Sequence, residues 1–264
     1  MEIVHPSSIE EALAGLSDGG VPLAGGTDLM VEVNFGHIRP EKVVGLRRLE
    51  PLKEWAGSRI GAGVTWRRIE RQGPTALAEA ARTVGSPQIR NAGTIGGNLG
   101  TASPAGDGHP FLAAVDASIE LTSADGSRLV TWDEFFVGVK ETARAPDELI
   151  TAVELPEELP ERQAFGKIGI RNAMVIATVC AVVTRSDDRR TTVGLGSVAP
   201  TPMRAPRAET MISSIARPTD ADLSEFQRLV SEEVRPITDH RSTEEYRRHG
   251  AGVLARRLLE RCLR

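Results

Sequence analysis

Two glycine-rich stretches dominate this sequence: Ala24-Gly25-Gly26-Thr27-Asp28 and Gly93-Thr94-Ile95-Gly96-Gly97-Asn98-Leu99-Gly100. Paired glycines let the backbone come close to a ligand and expose consecutive N–H groups to it, which is what a pyrophosphate requires. Two such stretches in one chain predict an anion that is held from two sides. Either stretch alone is equally typical of a tight turn.

A third glycine stretch, Val193-Gly194-Leu195-Gly196-Ser197-Val198-Ala199, matches the G-x-G-x-x-A form of a dinucleotide-binding fingerprint. That fingerprint opens a helix, whereas Pro200 and Pro202 follow here at once and no βαβ unit comes after them. We therefore predict a strand of small residues. The two main stretches have neither the Gly-Lys-Ser/Thr ending of a P-loop nor the G-x-G-x-x-G order.

Residues 1–155 have a mixed α/β pattern. Ser8 and Glu11 form a capping pattern, and apolar residues follow at helical spacing until Gly19-Gly20 ends the predicted helix. After the short strand Val21–Ala24 and the first glycine stretch, Leu29, Val31 and Val33 alternate with other residues, which is typical of a strand. The remaining predicted strands are Lys42–Leu46, Arg59–Gly63 and Ser118–Thr122, with helices at Thr65–Gln72 and Thr75–Thr83.

A break in regular structure comes at residues 155–162, where two prolines and four charged residues interrupt any helix or strand. This break predicts two domains, residues 1–158 and 162–264, the first with α/β subdomains of about 1–56 and 57–158. In the second domain, the stretches Met174–Val183 and Thr191–Val198 predict a hairpin around the charged turn Arg185–Arg190. Two predicted helices follow, at Asp220–Val234 and Ser242–Leu263.

Composition narrows the class of protein. Hydrophobic residues at 40% and charged residues at 26% are ordinary for a globular protein, and no apolar run is long enough for a membrane span. The N-terminus has no signal-peptide pattern, so we expect a cytoplasmic protein.

Cys180 and Cys262 are too few for an iron–sulfur cluster, which usually takes roughly four thiolates. The C-terminal arginines alternate with glutamates along a helical pattern, which indicates a solvated helix face and no nucleic-acid partner.

Several motifs in a fixed order resemble one known family. They are Pro22–Leu29, Ile60–Thr65, Gln88–Asn98, Ser103–Asp107 and Phe165-Gly166-Lys167. Together they resemble the FAD-binding medium subunit of the molybdenum hydroxylases, which includes the flavin subunits of carbon monoxide dehydrogenase and nicotine dehydrogenase and the flavin domain of xanthine dehydrogenase. The likeness extends from His5-Pro6 to near Glu209 and weakens in the C-terminal helices.

The resemblance implies an α+β fold, shared with vanillyl-alcohol oxidase, in which two α/β subdomains hold FAD. A C-terminal domain with a three-stranded antiparallel sheet and helices closes over the flavin. The family usually has an acidic residue before Ile-Ala in this domain, whereas Val175 stands there in this chain. That departure bears on local hydrogen bonding and not on the presence of a flavin site.

The resemblance also implies roles for individual residues. Asp107 would accept hydrogen bonds from the adenosine ribose, Ile150 would contact adenine, and Lys167 would lie beside the flavin. From the residues alone, Asp107 is typical of a helix cap or turn, Ile150 of a core strand and Lys167 of an exposed strand. The pyrophosphate would be bound by the backbone of Ala24, Gly25, Gly26, Thr27 and Asp28 on one side and by Thr94, Gly97, Asn98 and Thr101 on the other.

The implied function is that of an electron relay. A large partner subunit would carry molybdopterin and hydroxylate the substrate, and a small partner subunit would carry 2Fe-2S clusters, in an expected dimer of heterotrimers. Electrons would reach FAD on this chain and leave to an external acceptor, so no catalytic acid or base is expected here. His5 and His109 have no second ligand at metal-binding spacing, and we interpret both as ordinary polar residues.

Two alternative functions remain compatible with the fold. A self-sufficient flavoenzyme, an oxidase or a reductase, would need acid–base residues near its substrate, and the sequence offers one tyrosine and no evident candidate. A nucleotide-binding or scaffolding subunit without flavin would not need the glycines, which are intact in both stretches.

Overall fold

The computed structural model describes residues 1–264 and contains four β-sheets and eleven α-helices. The first sheet is parallel and has the order β1-β3-β2. Ser8 caps α1 by accepting the Glu11 N–H at 3.2 Å, as its sequence pattern predicts. The elements of this first unit are β1 (Glu2–Val4), α1 (Ile9–Ser17), β2 (Val21–Leu23), α2 (Leu29–Asn34) and β3 (Lys42–Gly45), followed by two 3-10 turns at Leu46–Arg48 and Glu50–Lys53.

Helix α2 corrects the sequence prediction for this segment. The alternation of Leu29, Val31 and Val33 predicts a strand, but the segment is a short helix with no buried residue. Leu29 and Val33 are also four residues apart, so six residues satisfy the helical and the strand period equally well. The helix forms directly after the first glycine stretch, and Asp28 is its first flanking residue.

The second sheet is antiparallel, with the order β4-β5-β10-β6-β7. It begins at Trp55, two residues before the predicted start of the second subdomain. Helix α4 has the bounds predicted from its apolar period. The elements of this unit are β4 (Trp55–Ala56), β5 (Arg59–Gly61), α3 (Trp66–Gln72), α4 (Thr75–Thr83), α5 (Pro87–Ala92), α6 (Ile95–Thr101), α7 (His109–Ala114), β6 (Ser118–Ser123), β7 (Gly126–Thr131), α8 (Trp132–Phe135), β8 (Phe136–Gly138), β9 (Glu141–Thr142) and β10 (Leu149–Glu154).

The C-terminal sheet consists of three long antiparallel strands and a two-residue edge strand, in the order β11-β12-β13-β14. The predicted three-stranded sheet is present, and the short fourth strand is an addition to it. None of the helices in the chain is long and apolar enough to cross a bilayer. The C-terminal elements are β11 (Arg162–Ile168), β12 (Val179–Arg185), β13 (Thr191–Gly196), β14 (Met203–Arg204), α9 (Pro206–Ser213), α10 (Asp220–Glu233) and α11 (Glu244–Cys262).

Strand β12 is buried along its whole length, which explains its continuous apolar run. Cys180 and Val182 belong to the large core beneath the second sheet, whereas Val179, Ala181 and Val183 belong to the core under α10 and α11. The C-terminal sheet is thus a middle layer between the second sheet's core and the C-terminal helices.

The G-x-G-x-x-A segment forms strand β13, as predicted, and not a nucleotide-binding turn. Gly194 is required by packing, because a Cβ atom there would lie 1.8 Å from the Pro110 carbonyl oxygen on α7. This close approach brings α7 and the loop before it against the C-terminal sheet.

His109 corrects a second expectation, because it is a buried residue and not an ordinary polar one. It is 1% exposed, its Nε2 lies 3.3 Å from the Asn98 carbonyl oxygen, and its ring packs on Phe136 at 4.6 Å. Burial lowers the pKa of His109 to about 4. The side chain is therefore neutral at pH 7, and its contact with the Asn98 carbonyl oxygen holds it against the backbone of α6.

This burial predicts a pH dependence of stability. Between pH 6.5 and 4 the unfolded histidine binds a proton that the folded one does not, so the free energy of unfolding should fall as the pH is lowered. His109→Gln retains a donor for the Asn98 carbonyl but does not titrate. Across this range the wild type should lose up to about 3 kcal/mol more than the variant, measured by urea unfolding at several pH values. Parallel pH profiles for the two proteins would contradict this assignment.

Candidate functional site

A cavity of about 1120 Å³ lies between the first sheet, the second unit and the C-terminal sheet. It exceeds the roughly 300–1,000 Å³ that is usual for small-molecule sites, so it can hold a long ligand. The structure places every binding residue predicted from the sequence on its wall: Ala24, Gly25, Gly26, Thr27, Asp28, Thr94, Gly97, Asn98, Thr101, Asp107, Ile150 and Lys167.

The first glycine stretch offers a series of free backbone donors. No N–H group from Ala24 to Asp28 donates a hydrogen bond within the chain. Gly26 has φ +71°, a left-handed conformation that turns the backbone between β2 and α2 and that favours glycine. Consecutive free amides around such a turn form an anion-binding concavity. This stretch therefore fits a diphosphate group.

The second glycine stretch differs from the first and corrects part of the prediction. The amides of Ile95, Gly96 and Gly97 donate to the Val64 carbonyl, the Ala62 carbonyl and the Thr94 hydroxyl at 2.9–3.0 Å. These N–H groups are therefore not available to an anion. This stretch instead offers side chains to the cavity. The side-chain amide of Asn98 makes no hydrogen bond within the chain, and the Thr101 hydroxyl donates to the Asp28 carboxylate at 3.0 Å.

The two stretches are held together by close backbone packing. A Cβ atom at Gly25 would lie 1.9 Å from the Ala92 carbonyl oxygen, so any side chain there would push the two stretches apart. Similarly, a Cβ at Gly96 would lie 2.5 Å from the Cβ of Ala62. These two glycines set the shape of the cavity floor, whereas Gly26 and Gly97 face the ligand space.

Asp107 and Lys167 form a buried ion pair on the cavity wall. The Lys167 Nζ lies 2.6 Å from the Asp107 Oδ2, and both side chains are 8% exposed. Thr83 donates to the same carboxylate oxygen at 3.2 Å. The Asp107 Oδ1 has no hydrogen-bond partner within the chain, although it is buried. Lys167 is therefore not the exposed strand lysine that its position in β11 alone would suggest.

Burial raises the pKa of Asp107, and the Lys167 ammonium and the Thr83 hydroxyl oppose that rise. A buried carboxylate oxygen without a donor is costly, which points to a ligand hydroxyl or N–H group at this position. This orphaned oxygen and the free amides of the first glycine stretch fit a ligand that carries both a diphosphate and polyol or ring donors. The observed residues thus fit FAD.

The pairing of Asp107 with Lys167 bears on the roles implied by the resemblance. Those roles place the two side chains at the adenosine ribose and beside the flavin ring, which are distant parts of an extended FAD. In the structure they share one contact at one place in the cavity. The two side chains therefore occupy one position on the cavity wall and not two distant ones.

Ile150 lines the cavity beside the end of α6. Its Cδ1 is 3.7 Å from the position that a Cβ would take at Gly100, near the end of α6, whereas Gly97 lies one turn earlier beside the first glycine stretch. Ile150 is 7% exposed and occupies β10 at a register shift of the ladder. The cavity wall thus contributes an apolar side chain at Ile150 and a buried ion pair at Asp107.

Sequence reasoning missed one part of the wall, the segment from Met174 to Ile176. The sequence places Met174 at the start of a strand, but β12 begins only at Val179. Met174 has φ +49° and is 57% exposed, and Ile176 is 51% exposed, while the segment lines the cavity. In the sequence these apolar residues continue without a break into the apolar run of β12. The boundary between the exposed segment and the buried strand was therefore hidden.

Comparison with known proteins identifies the family. A family profile described as "FAD binding domain in molybdopterin dehydrogenase" matches residues 1–158, and one described as "CO dehydrogenase flavoprotein C-terminal domain" matches residues 164–262. The nicotinate dehydrogenase FAD-subunit of Eubacterium barkeri is 37% identical over 67% of this chain and 66% of its own length. The carbon monoxide dehydrogenase medium chain of Afipia carboxidovorans is 31% identical over 97% of this chain and 94% of its own.

Solved structures agree with this assignment. The crystal structure of the cyanide-inactivated Cu,Mo-CO dehydrogenase contains a chain that superimposes with a TM-score of 0.91 and 31% sequence identity, covering 100% of this chain and 97% of that one. This agreement confirms the α+β fold predicted from the motifs. The chain therefore belongs to the family of FAD-binding domains of molybdopterin dehydrogenases.

Proposed function

We propose that this chain is the FAD-binding subunit of a molybdenum hydroxylase and transfers electrons from iron–sulfur clusters on a partner to an external acceptor. The observation that carries the proposal is a single cavity that combines free backbone amides with a buried, partly unsatisfied ion pair. FAD, when bound, would supply the redox chemistry. The residues of this chain bind it, orient it and set the charge around it.

The amides of Ala24–Asp28 would hold the pyrophosphate, since they are the free donors of the cavity floor. On the opposite side, Thr94, Gly97, Asn98 and Thr101 would line the same group, with Asn98 as the side-chain donor. Ile150 would contact the adenine, because it is an apolar side chain on the cavity wall beside α6. The first stretch thus fixes the phosphates, and the two ends of the cavity receive the two ends of the cofactor.

Asp107 and Lys167 would lie at the flavin end of the cavity. The support is their contact with each other and the neighbouring apolar segment Met174–Ile176, which suits a ring system. The free Asp107 Oδ1 would accept a hydrogen bond from the part of the cofactor next to the ring. The Lys167 ammonium would favour negative charge on the reduced ring. The resemblance implies the adenosine ribose as the partner of Asp107, and the ion pair with Lys167 favours the flavin end instead.

A relay subunit needs partners that carry the other centres. Both cysteines, Cys180 and Cys262, are buried inside the two cores and cannot bind a cluster at the surface. We therefore propose a small partner with 2Fe-2S clusters and a large partner with molybdopterin, assembled as a dimer of heterotrimers in the cytoplasm. We also propose residues 1–158 and 162–264 as the two domains.

The alternative is a self-sufficient flavoenzyme of the same fold. Such an enzyme needs a proton donor or acceptor free to meet its substrate. At the flavin end of the cavity the titratable side chains are Asp107 and Lys167, and they are engaged with each other. This engagement favours the relay.

The purified chain should be yellow and contain one non-covalent FAD. The reason is the set of free amides, to which a diphosphate can bind, and the lack of a histidine or cysteine on the cavity wall for covalent attachment. Acid or heat should release FAD into the supernatant, where chromatography identifies it. Release of FMN alone, or flavin that remains on the denatured protein, would refute this expectation.

Gly26→Ala should weaken FAD binding by about tenfold or more, because a side chain at φ +71° strains the turn and shifts the free amides by a fraction of an ångström. Its Cβ would also lie 3.2 Å from Met30 Cγ. Gly19→Ala is the matched control, since Gly19 has φ +76°, open surroundings and no part in the cavity. Both variants should lose about 1 kcal/mol of stability. Titration of flavin-free protein by fluorescence quenching measures the affinity, and equal dissociation constants for the two variants would count against the loop.

Reduction of the bound flavin by an organic substrate should require the partner subunits. In the isolated chain Asp107 and Lys167 are engaged with each other, so the flavin absorbance should remain unchanged when substrate is added, whereas the flavin of the assembled enzyme should bleach. Rapid-mixing absorbance of both samples makes the comparison. Bleaching of the isolated chain at a catalytic rate would favour the self-sufficient flavoenzyme instead.

A further inference from the structure

Arg247 is a buried arginine at the start of α11, outside the cavity. It is 4% exposed, and its Nη1 donates to the carbonyl oxygens of Thr178 at 2.8 Å and Ser197 at 2.9 Å. Its Nη2 donates to the Asp239 carboxylate at 2.8 Å. Although burial acts to raise it, hydrogen bonds from Arg247 and from nearby amides hold the pKa of Asp239 at about 2. The Asp239 carboxylate is thus negatively charged at neutral pH and lies against the Arg247 guanidinium.

Ser197, which accepts from Arg247, joins three separate segments. It has φ +65°, a left-handed conformation that is unusual for serine. Its N–H donates to the Pro104 carbonyl at 2.8 Å, and its hydroxyl donates to the Ala177 carbonyl at 3.0 Å. A strained backbone that persists is held by its surroundings, and here the Arg247 guanidinium supplies that hold.

The residues that Ser197 and Arg247 contact lie close in the chain to residues of the cavity wall. Pro104 is three residues before Asp107. Ala177 directly follows the segment Met174–Ile176, and the Thr178 N–H donates to the Ile168 carbonyl at 2.8 Å, one residue after Lys167. The Arg247–Ser197 contact therefore fixes, through the backbone, both the loop that carries Asp107 and the strand that carries Lys167.

We infer that Arg247 is a positioning residue for the flavin end of the cavity, acting through Ser197 to set the Asp107–Lys167 pair and the wall beside it. The identity of the ligand rests on the proposed function. The positioning itself is a property of the chain and can be measured without any ligand.

The test compares Arg247→Lys with a matched control, Arg185→Lys. Arg185 is also buried, at 3% exposed, and donates to the Thr191 hydroxyl and to the carbonyls of Ile212 and Ile215, at the end of β12 away from the cavity. In both variants lysine keeps the charge, but its single ammonium nitrogen lacks the planar, forked donors with which the guanidinium reaches acceptors in different directions. Both proteins should therefore lose thermal stability to a similar extent.

Two readouts separate positioning from general destabilisation. In flavin-free protein, Arg247→Lys should speed hydrogen exchange in residues 102–107 and 177–179, and Arg185→Lys should not. With FAD, Arg247→Lys should raise the dissociation constant by about tenfold and shift the flavin absorption bands, whereas Arg185→Lys should stay within about twofold of wild type. Ser197→Ala, which removes only the contact with Ala177, should change both readouts in the same direction as Arg247→Lys.

Equal effects of the two arginine variants on flavin affinity, or unchanged exchange near the cavity in Arg247→Lys, would overturn the inference. A wild-type chain that takes up no FAD would refute the proposed function instead. In that case the exchange measurement alone still decides whether Arg247 positions the two segments.

Discussion

Strand β12 is buried on both faces, and the cavity depends on that burial. Cys180 and Val182 pack into the core of the second unit, and Val179, Ala181 and Val183 pack under the C-terminal helices. Each fully buried valine stabilises this arrangement by roughly 1.5–3 kcal/mol. A slip of one residue would exchange the two faces, so the register is strongly fixed. In that register Lys167 is paired with Cys180, and this position lets its side chain reach Asp107.

The glycines of this chain serve two different physical purposes. Gly25, Gly96 and Gly194 stand where a neighbouring carbonyl or Cβ comes too close for any side chain, so they allow layers to touch. Gly26 instead takes a left-handed turn and leaves amides free, while Gly97 lines the cavity beside Ala24 and Thr94. The first group of glycines determines the shape of the cavity by letting backbone segments pack closely. The second group lets a phosphate approach the backbone.

Much of the architecture can be predicted from local patterns. Helix α4 and the capped helix α1 follow from apolar spacing and end signals, the two glycine stretches predict an anion site, and the resemblance of the ordered motifs to a known family implies FAD. Alternation in Leu29–Val33 misleads, because a segment of six residues fits both periods. Whether an amide is free depends on distant carbonyls such as those of Ala62 and Val64, so the difference between the two glycine stretches is invisible in the sequence. The ion pair of Asp107 with Lys167 joins residues 60 positions apart and likewise needs the fold.

The central position of β10 in the second sheet limits the order in which this sheet can form during synthesis of the chain. β10 lies between β5 and β6, so the second sheet stays incomplete until residue 154 has left the ribosome. Its core then still has an open side, which Cys180 and Val182 cover only later. Asp107 is likewise without its counter-charge until β11 has docked. Both glycine stretches are therefore synthesised early, but the cavity wall is complete only after β11 and β12 have docked against the second unit.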